Sequence, residues 1–332
     1  MKPALALMAV LALGACGRQT APAAAPERPL LRIAGSQLAE ELVKEIAAAR
    51  PDLNVTHVTA APIAVDPVRQ GQADLGVIFA DSVYFAHLAE GVNQTAAHRG
   101  IRAISALHVA PMLMFVRQGS GVRSVADMRG HTARISPNPI DNDPRFSGWP
   151  VPKSLGGLGA GTVSGVTSLP LLVLLAHGIL PTDVVNKPIS PTEAAIEMTN
   201  GTLDASLNVA FESNPYPADA FRRGHRLASI EGPAIDRLRR TYSFIRPVRL
   251  PAGTYPGQTY DVRTVGVNMV LVCRADLDEQ LAYDLTRLYF AALPRLVAKG
   301  NLAGIDPQQA PLTPIPLHEG AARYFRETEL FR

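Results

Sequence analysis

Cysteine, aromatic residues and charge of one sign are all scarce in this chain. Of its 332 residues only two are cysteines and 6% are aromatic, and the formal net charge is +3. Two cysteines cannot build the dense disulfide framework of small secreted domains, and the balanced charge lacks the basic stripe that nucleic-acid binding requires. With 47% hydrophobic residues, the chain is long enough for one large globular domain or two ordinary ones.

Residues 1–16 have the pattern of an export signal. A basic start is followed by about a dozen apolar residues, which are fewer than the roughly 20 that span a bilayer. The sequence Leu-Gly-Ala-Cys at 13–16 is similar to a bacterial lipobox, in which the cysteine is lipidated, so we expect a lipid on Cys16. The Pro- and Ala-rich segment 17–29 suits a flexible tether. A plain secretory peptide cleaved near Ala15 is the alternative.

Lipidation of Cys16 would leave Cys273 without a disulfide partner. Cys273 stands at the end of a strongly apolar run. We therefore expect Cys273 to be a small residue of the hydrophobic core.

Apolar runs alternate with helical patterns along the chain. Strands are predicted at 30–34, 53–58, 75–79, 101–110, 112–117, 205–210 and 262–272. Helix starts are predicted at Ser36, at the capping-box patterns 124–127 and 190–193, and at Asp276 with Glu279. Strands that alternate with helices in this way are typical of an α/β fold.

No motif for catalysis, metal binding or cofactor binding is present. The chain lacks G-x-S-x-G, H-E-x-x-H and a Walker loop, and its eight histidines are scattered. Residues 141–143 resemble the start of a calcium loop, but the Gly and Glu that such a loop needs are missing. We expect a binding protein without metal or cofactor, and a hydrolase with an unrecognised site is the alternative.

Polar residues follow several predicted strands at points where a helix or turn begins. Because open α/β sheets bind ligands at the carboxyl ends of their strands, these residues are candidate ligand contacts. Each could instead be a helix cap or a turn residue. The candidates are Ser36, Gln37, Asp81, Ser82, Thr162, Ser164 and Asn208.

Four motifs lie near the C-terminus: LPAGTYPG at 250–257, DVRTVGV at 261–267, LVCRADL at 271–277 and IPLHEGAARYF at 315–325. Together they resemble the TAXI family, the solute-binding proteins of one branch of the TRAP (tripartite ATP-independent periplasmic) transporters. The resemblance extends over about residues 31–328. It implies an α/β type II periplasmic-binding-protein fold, with two lobes around an interdomain ligand cleft. It also implies periplasmic capture of a small carboxylate such as glutamate, glutamine or 2-oxoglutarate, delivery to a membrane permease, and Tyr255 as a further contact.

Three departures from the family pattern fall where the ligand is expected. They are the glycine-poor loop 34–37, the strand end 79–81, and roughly twenty extra residues after Ile135, which is an uncommon loop length. The insertion 136–161 contains Trp149, which is a candidate lid residue or the anchor of a surface loop. A lipoprotein of the same fold that serves as a sensor or assembly partner remains the alternative function.

We expect the chain to cross twice between two lobes. Lobe I is predicted at 30–109 and 262–332, and lobe II at 110–261, with the crossings in the extended runs that bound these segments.

Overall fold

The computed structural model of the chain describes residues 28–35, 37–60, 64–93, 100–135, 169–210, 216–298 and 306–330. The predicted signal peptide, the insertion 136–161, and Cys16, Ser36, Trp149, Thr162 and Ser164 lie outside these ranges.

The described residues form ten strands and nine α-helices. The strands are β1 (Leu30–Gly35), β2 (Asn54–Thr59), β3 (Leu75–Phe79), β4 (Ile101–Val116), β5 (Thr132–Ile135), β6 (Val185–Asn186), β7 (Ala205–Val209), β8 (Arg226–Ala228), β9 (Ile245–Leu250) and β10 (Val262–Arg274). The helices are α1 (Gln37–Ala49), α2 (Asp66–Arg69), α3 (Ala80–Asn93), α4 (Leu169–Ala176), α5 (Pro191–Thr199), α6 (Tyr216–Arg222), α7 (Pro233–Thr241), α8 (Glu279–Ala298) and α9 (Glu319–Glu327).

The strands join in one mixed sheet. Its order is β2-β1-β3-β10-β4-β7-β5-β6, with β9 paired to β10 and β8 paired to β4. The outer strands on each side are parallel, as in the β1–β2 and β5–β7 pairs, whereas β10 and β4 run antiparallel to their neighbours. Two parallel βα halves joined by two central antiparallel strands confirm the predicted α/β, two-lobe fold of the type II periplasmic binding proteins.

β4 is one strand of 16 residues, so the prediction of two separate runs around Pro111 was wrong. Through Pro111 the strand pairs with β10, and from Met112 it pairs with β7. Proline has no N–H to donate, and here it stands where β4 changes partner. The carbonyl of Pro111 accepts a hydrogen bond from the N–H of Ala210 at 2.8 Å. The strand therefore continues through a residue that usually interrupts one.

β4 and β10 approach each other closely at Gly266. A Cβ atom at this position would lie 2.6 Å from the carbonyl oxygen of Ala110, so only glycine fits without a backbone shift. Two residues earlier, the hydroxyl of Thr264 donates a hydrogen bond to the carbonyl of Met112 at 2.7 Å. The two central strands are thus held in a fixed register where the sheet passes from one half to the other.

The apolar side chains form two clusters. The larger extends over both halves of the sheet, from β1 and β3 to α4 and β7, and it includes Cys273, which is fully buried and makes no disulfide. This confirms the expectation for Cys273, and burial raises the pKa of its thiol. The smaller cluster lies beside β4 and β7, where the ring of Phe115 packs edge-to-face on Tyr216 and Phe221, with 5.2 Å between centroids in both pairs.

Two of the predicted capping boxes are confirmed. The Ser190 hydroxyl accepts a hydrogen bond from the Glu193 N–H at 3.2 Å, and the Glu193 carboxylate accepts one from the Ser190 N–H at 2.7 Å. The same exchange at 124–127 opens only a short 3₁₀ turn, Val125–Met128.

The predicted helix start at Asp276 was wrong. α8 begins at Glu279, and the carboxylate of Asp278 accepts a hydrogen bond from the N–H of Leu281 at 2.8 Å. Asp276 instead accepts a hydrogen bond from the guanidinium of Arg274 at 2.8 Å. The sequence pattern placed the cap at Asp276, three residues before Glu279. Asp278 caps the helix instead, because its carboxylate reaches the free N–H groups of the first turn.

α8 packs against α1 and α9. The guanidinium of Arg295 on α8 donates a hydrogen bond to the carboxylate of Glu45 on α1 at 2.7 Å. The lobe boundaries at residues 109–110 and 261–262 stay a prediction.

Candidate functional site

Asp81 is buried at the start of α3, directly after β3. One carboxylate oxygen accepts a hydrogen bond from the N–H of Ser82 at 2.8 Å, and the other accepts one from the N–H of Leu169, the first residue of α4, at 2.9 Å. Asp81 is 3% exposed, and burial raises its pKa to about 6, although the N–H groups act in the opposite direction. Asp81 thus links the N-terminal ends of two helices, and Ser82 is buried beside it.

The two hydrogen bonds make Asp81 a helix-cap residue. A helix cap was the alternative to a ligand contact in the sequence analysis. A carboxylate has about four acceptor positions, so two N–H groups do not exhaust its capacity. Its role toward a ligand stays a prediction.

Among the predicted site residues that the structure describes, Asn208 has the most buried polar atoms without a hydrogen-bond partner. It lies within β7 and is 2% exposed, and neither the oxygen nor the nitrogen of its amide has a hydrogen-bond partner in the part of the chain that the structure describes. A buried amide without partners costs roughly 1–3 kcal/mol in proteins. A polar group from a bound molecule would relieve that cost.

Arg134 shares the sheet face of Asn208, and sequence reasoning missed it. Arg134 on β5 pairs in register with Ser206 on β7, and Asn208 is two residues further along the same strand, so all three project to one side. Arg134 is 8% exposed, and its Nε donates to the carbonyl of Ile189 at 2.7 Å. Arg134 lies in the four-residue strand Thr132–Ile135, whose sequence has no pattern that marks the arginine as buried.

The hydroxyl of Tyr216 lies close to this group. Tyr216 is buried at the start of α6, and burial raises its pKa, whereas Ser206 and Arg134 act to lower it. The smaller apolar cluster therefore encloses a set of polar groups rather than a wholly apolar interior.

Two other predicted residues lie in different surroundings. Gln37 is exposed as the first residue of α1. Tyr255 lies in the turn between β9 and β10 and packs against the smaller apolar cluster, and burial raises its pKa to about 12. The amide of Gln258 holds this turn by donating to the carbonyls of Leu250 and Tyr260 at 3.1 and 2.8 Å.

Within the described ranges, no three side chains of the His, Cys, Asp and Glu types are grouped so that they could hold a metal ion. Among the same residues, no helix combines the length and the apolar character needed to cross a membrane.

Residues 154–328, more than half of the chain, match the model of the NMT1-like family. The chain belongs to the NMT1-like family. This match covers the strands β6 to β10, with Asn208 and the β9–β10 turn, and it does not separate the TAXI proteins from other groups. None of the curated proteins compared with this NMT1-like chain matches it.

Several solved structures resemble this NMT1-like chain at low sequence identity. The alkanesulfonate-binding protein SsuA from Xanthomonas axonopodis pv. citri, bound to MOPS, is 18% identical, with 91% of this chain and 85% of that chain covered and a TM-score of 0.45. The periplasmic aliphatic sulphonate binding protein SsuA from Escherichia coli is 16% identical over 82% of this chain and 71% of that chain, with a TM-score of 0.42. A putative periplasmic sulfonate-binding protein from Methylobacillus flagellatus is 14% identical over 83% and 71%, with a TM-score of 0.45.

Proposed function

We propose that this chain is the extracytoplasmic solute-binding component of a TRAP transporter of the TAXI type. It captures a small organic anion or amino acid of the glutamate, glutamine or 2-oxoglutarate class and delivers it to a membrane permease. The observation that carries the proposal is the buried Asn208, whose amide groups have no hydrogen-bond partner among the residues that the structure describes. The motifs at 250–257 and 315–325 add support through their resemblance to the TAXI family.

The proposed activity is binding without catalysis or a cofactor. Asp81 and Asn208 supply polar contacts from two different parts of the sheet, one after β3 and the other in β7. Binding between such parts is expected to work by hinge closure. Ser36, Gln37, Ser82, Trp149, Thr162, Ser164 and Tyr255 are the other proposed contacts.

The ligand contacts can be tested by titration calorimetry after a thermal-shift screen with glutamate, glutamine and 2-oxoglutarate. A ligand at 100 times its dissociation constant stabilises a protein by about 2.7 kcal/mol, so binding gives a clear shift. Asn208→Ala and Asp81→Ala are each expected to weaken binding by about tenfold or more, because each removes a buried hydrogen-bonding group.

Asn200→Ala is the matched control, since Asn200 is an exposed residue at the end of α5. Circular dichroism checks that each variant is folded. If both test variants bind the solute as the wild type does, these residues are structural caps or core residues. If no solute in the screen binds, the proposal fails and a sensor or assembly role is favoured.

We also propose that the protein is held at the periplasmic face of a membrane by a lipid on Cys16. Mass spectrometry of the mature protein isolated from its native cell is expected to show an N-terminal cysteine that carries acyl chains. A Cys16→Ser variant is expected to remain in the soluble fraction after cell lysis. An unmodified N-terminus at or after Cys16 would contradict the anchor.

A further inference from the structure

The buried guanidinium of Arg134 has no counter-charge within the part of the chain that the structure describes. Among the described residues its hydrogen bond is the one from Nε to the carbonyl of Ile189, and its buried Nη1 has no partner there. No described carboxylate lies within 4.0 Å of it. Burial lowers the pKa of Arg134, and Tyr216 acts in the opposite direction. An unpaired buried charge costs several kcal/mol, so its retention calls for a partner.

The groups around Arg134 provide further donors on the same face. The amide nitrogen of Asn208 is buried without a partner among the described residues, and the hydroxyl of Tyr216, which interacts with Ser206, is buried nearby. The guanidinium has a planar fork of N–H groups that matches two oxygens of one anionic group. Together with the Asn208 amide beside it, that fork favours a compact oxyanion over a cation.

We infer that Arg134 anchors the acidic group of the bound solute, with Asn208 beside it. The inference rests on the proposed solute-binding function and specifies its chemistry: the ligand carries a carboxylate or another organic oxyanion. The acidic group is held by a side-chain cation in the half of the sheet that contains β5 and β7, rather than by helix N-termini alone.

The test compares Arg134→Gln and Arg134→Lys with the wild type by calorimetry and thermal shift. The probes are L-glutamate, 2-oxoglutarate and inorganic sulfate. Arg134→Gln is expected to weaken binding of the organic anions by at least about tenfold, because it removes a charge-assisted pair of hydrogen bonds. Arg134→Lys is expected to bind with intermediate affinity, since it keeps the charge and loses the fork.

The control is Arg226→Gln, which removes the same charge from an exposed residue on β8. It is expected to leave affinity unchanged. Without any anion, Arg134→Gln is expected to be at least as stable as the wild type, because an unpaired buried charge has been removed. A purely structural Arg134 would give the opposite result, with lower stability and an unchanged response to anions.

The measurements with sulfate test the role of Arg134 separately from the proposed function. If the organic solutes fail but sulfate stabilises the wild type and not Arg134→Gln, the anion site stands and the proposed solute class is wrong. If an organic solute binds equally to the wild type and to Arg134→Gln, solute binding stands and the role of Arg134 is refuted. If no anion changes the stability of the wild type, or if Arg226→Gln abolishes the response as well, the inference is overturned.

Discussion

Replacing Gly320 with alanine is expected to lower the free energy of unfolding by about 3 kcal/mol. Gly320 lies in the first turn of α9, buried against the start of α8. A Cβ atom there would meet the carbonyl oxygen of Glu279 at 2.2 Å and the backbone nitrogen of Tyr283 at 2.7 Å. Alanine normally favours a helix over glycine by about 1 kcal/mol, but these contacts are with backbone atoms that cannot rotate away. The steric overlap of the alanine Cβ is therefore expected to cost more than the higher helix propensity of alanine gains.

Urea unfolding followed by circular dichroism measures this effect. Glu319→Ala is the control, because Glu319 is the exposed neighbour of Gly320 in the same turn, and its loss is expected to cost no more than about 1 kcal/mol. An alanine variant as stable as the wild type would mean that α8 and α9 lie further apart than the structure places them.

The buried carboxyl of Asp81 is expected to make stability depend on pH between about 4 and 6. Its pKa is raised from an ordinary 3.8 to about 6, so the folded state holds this proton more tightly than the unfolded chain does. The contribution is therefore most favourable below about pH 4 and is lost as the pH rises through about 6. The difference in pKa corresponds to at most about 3 kcal/mol.

The measurement is the unfolding free energy of the wild type and of Asp81→Asn at pH values from 4 to 7. The stability of the wild type relative to the variant is expected to fall as the pH rises. Asp236→Asn serves as the control, because Asp236 is also in the first turn of a helix but is exposed. A difference that stays constant with pH would show that the two N–H contacts keep Asp81 ionised throughout.

The strands β1, β2, β3, β4, β7 and β10 could be predicted from the sequence because apolar runs are local signals. The strands β6, β8 and β9 were not predicted, since they have only 2, 3 and 6 residues and contain polar or charged side chains. Two predictions were wrong because the tertiary structure overrides a local sequence pattern. Pro111 indicated a break, yet β4 continues because the proline stands where the strand changes partners. Asp276 and Asp278 both precede α8, but the carboxylate of Asp278 reaches the N–H of Leu281, whereas that of Asp276 binds Arg274.

The candidate site was harder to predict than the fold. Asn208 was recognised because a polar residue stands out in an apolar strand, but its lack of partners depends on how β7 is covered. Asp81 was recognised as a strand-end residue, whereas its bond to Leu169 joins positions 88 residues apart. Arg134 is ordinary in sequence and becomes significant only through its burial and its register with Ser206.

The position of β10 also governs when the sheet can be completed during synthesis. β10 separates β3 from β4 in the sheet, yet it is translated last of the three, more than 140 residues after β4. Until residue 274 has emerged from the ribosome, β3 and β4 each lack β10, the strand that pairs with the edge they turn toward the centre of the sheet. Pairing over so long a separation is slow to form, since a large loop must close first. The nascent chain therefore stays open at its centre for most of its translation, and its native state forms only after the C-terminal segment has been made.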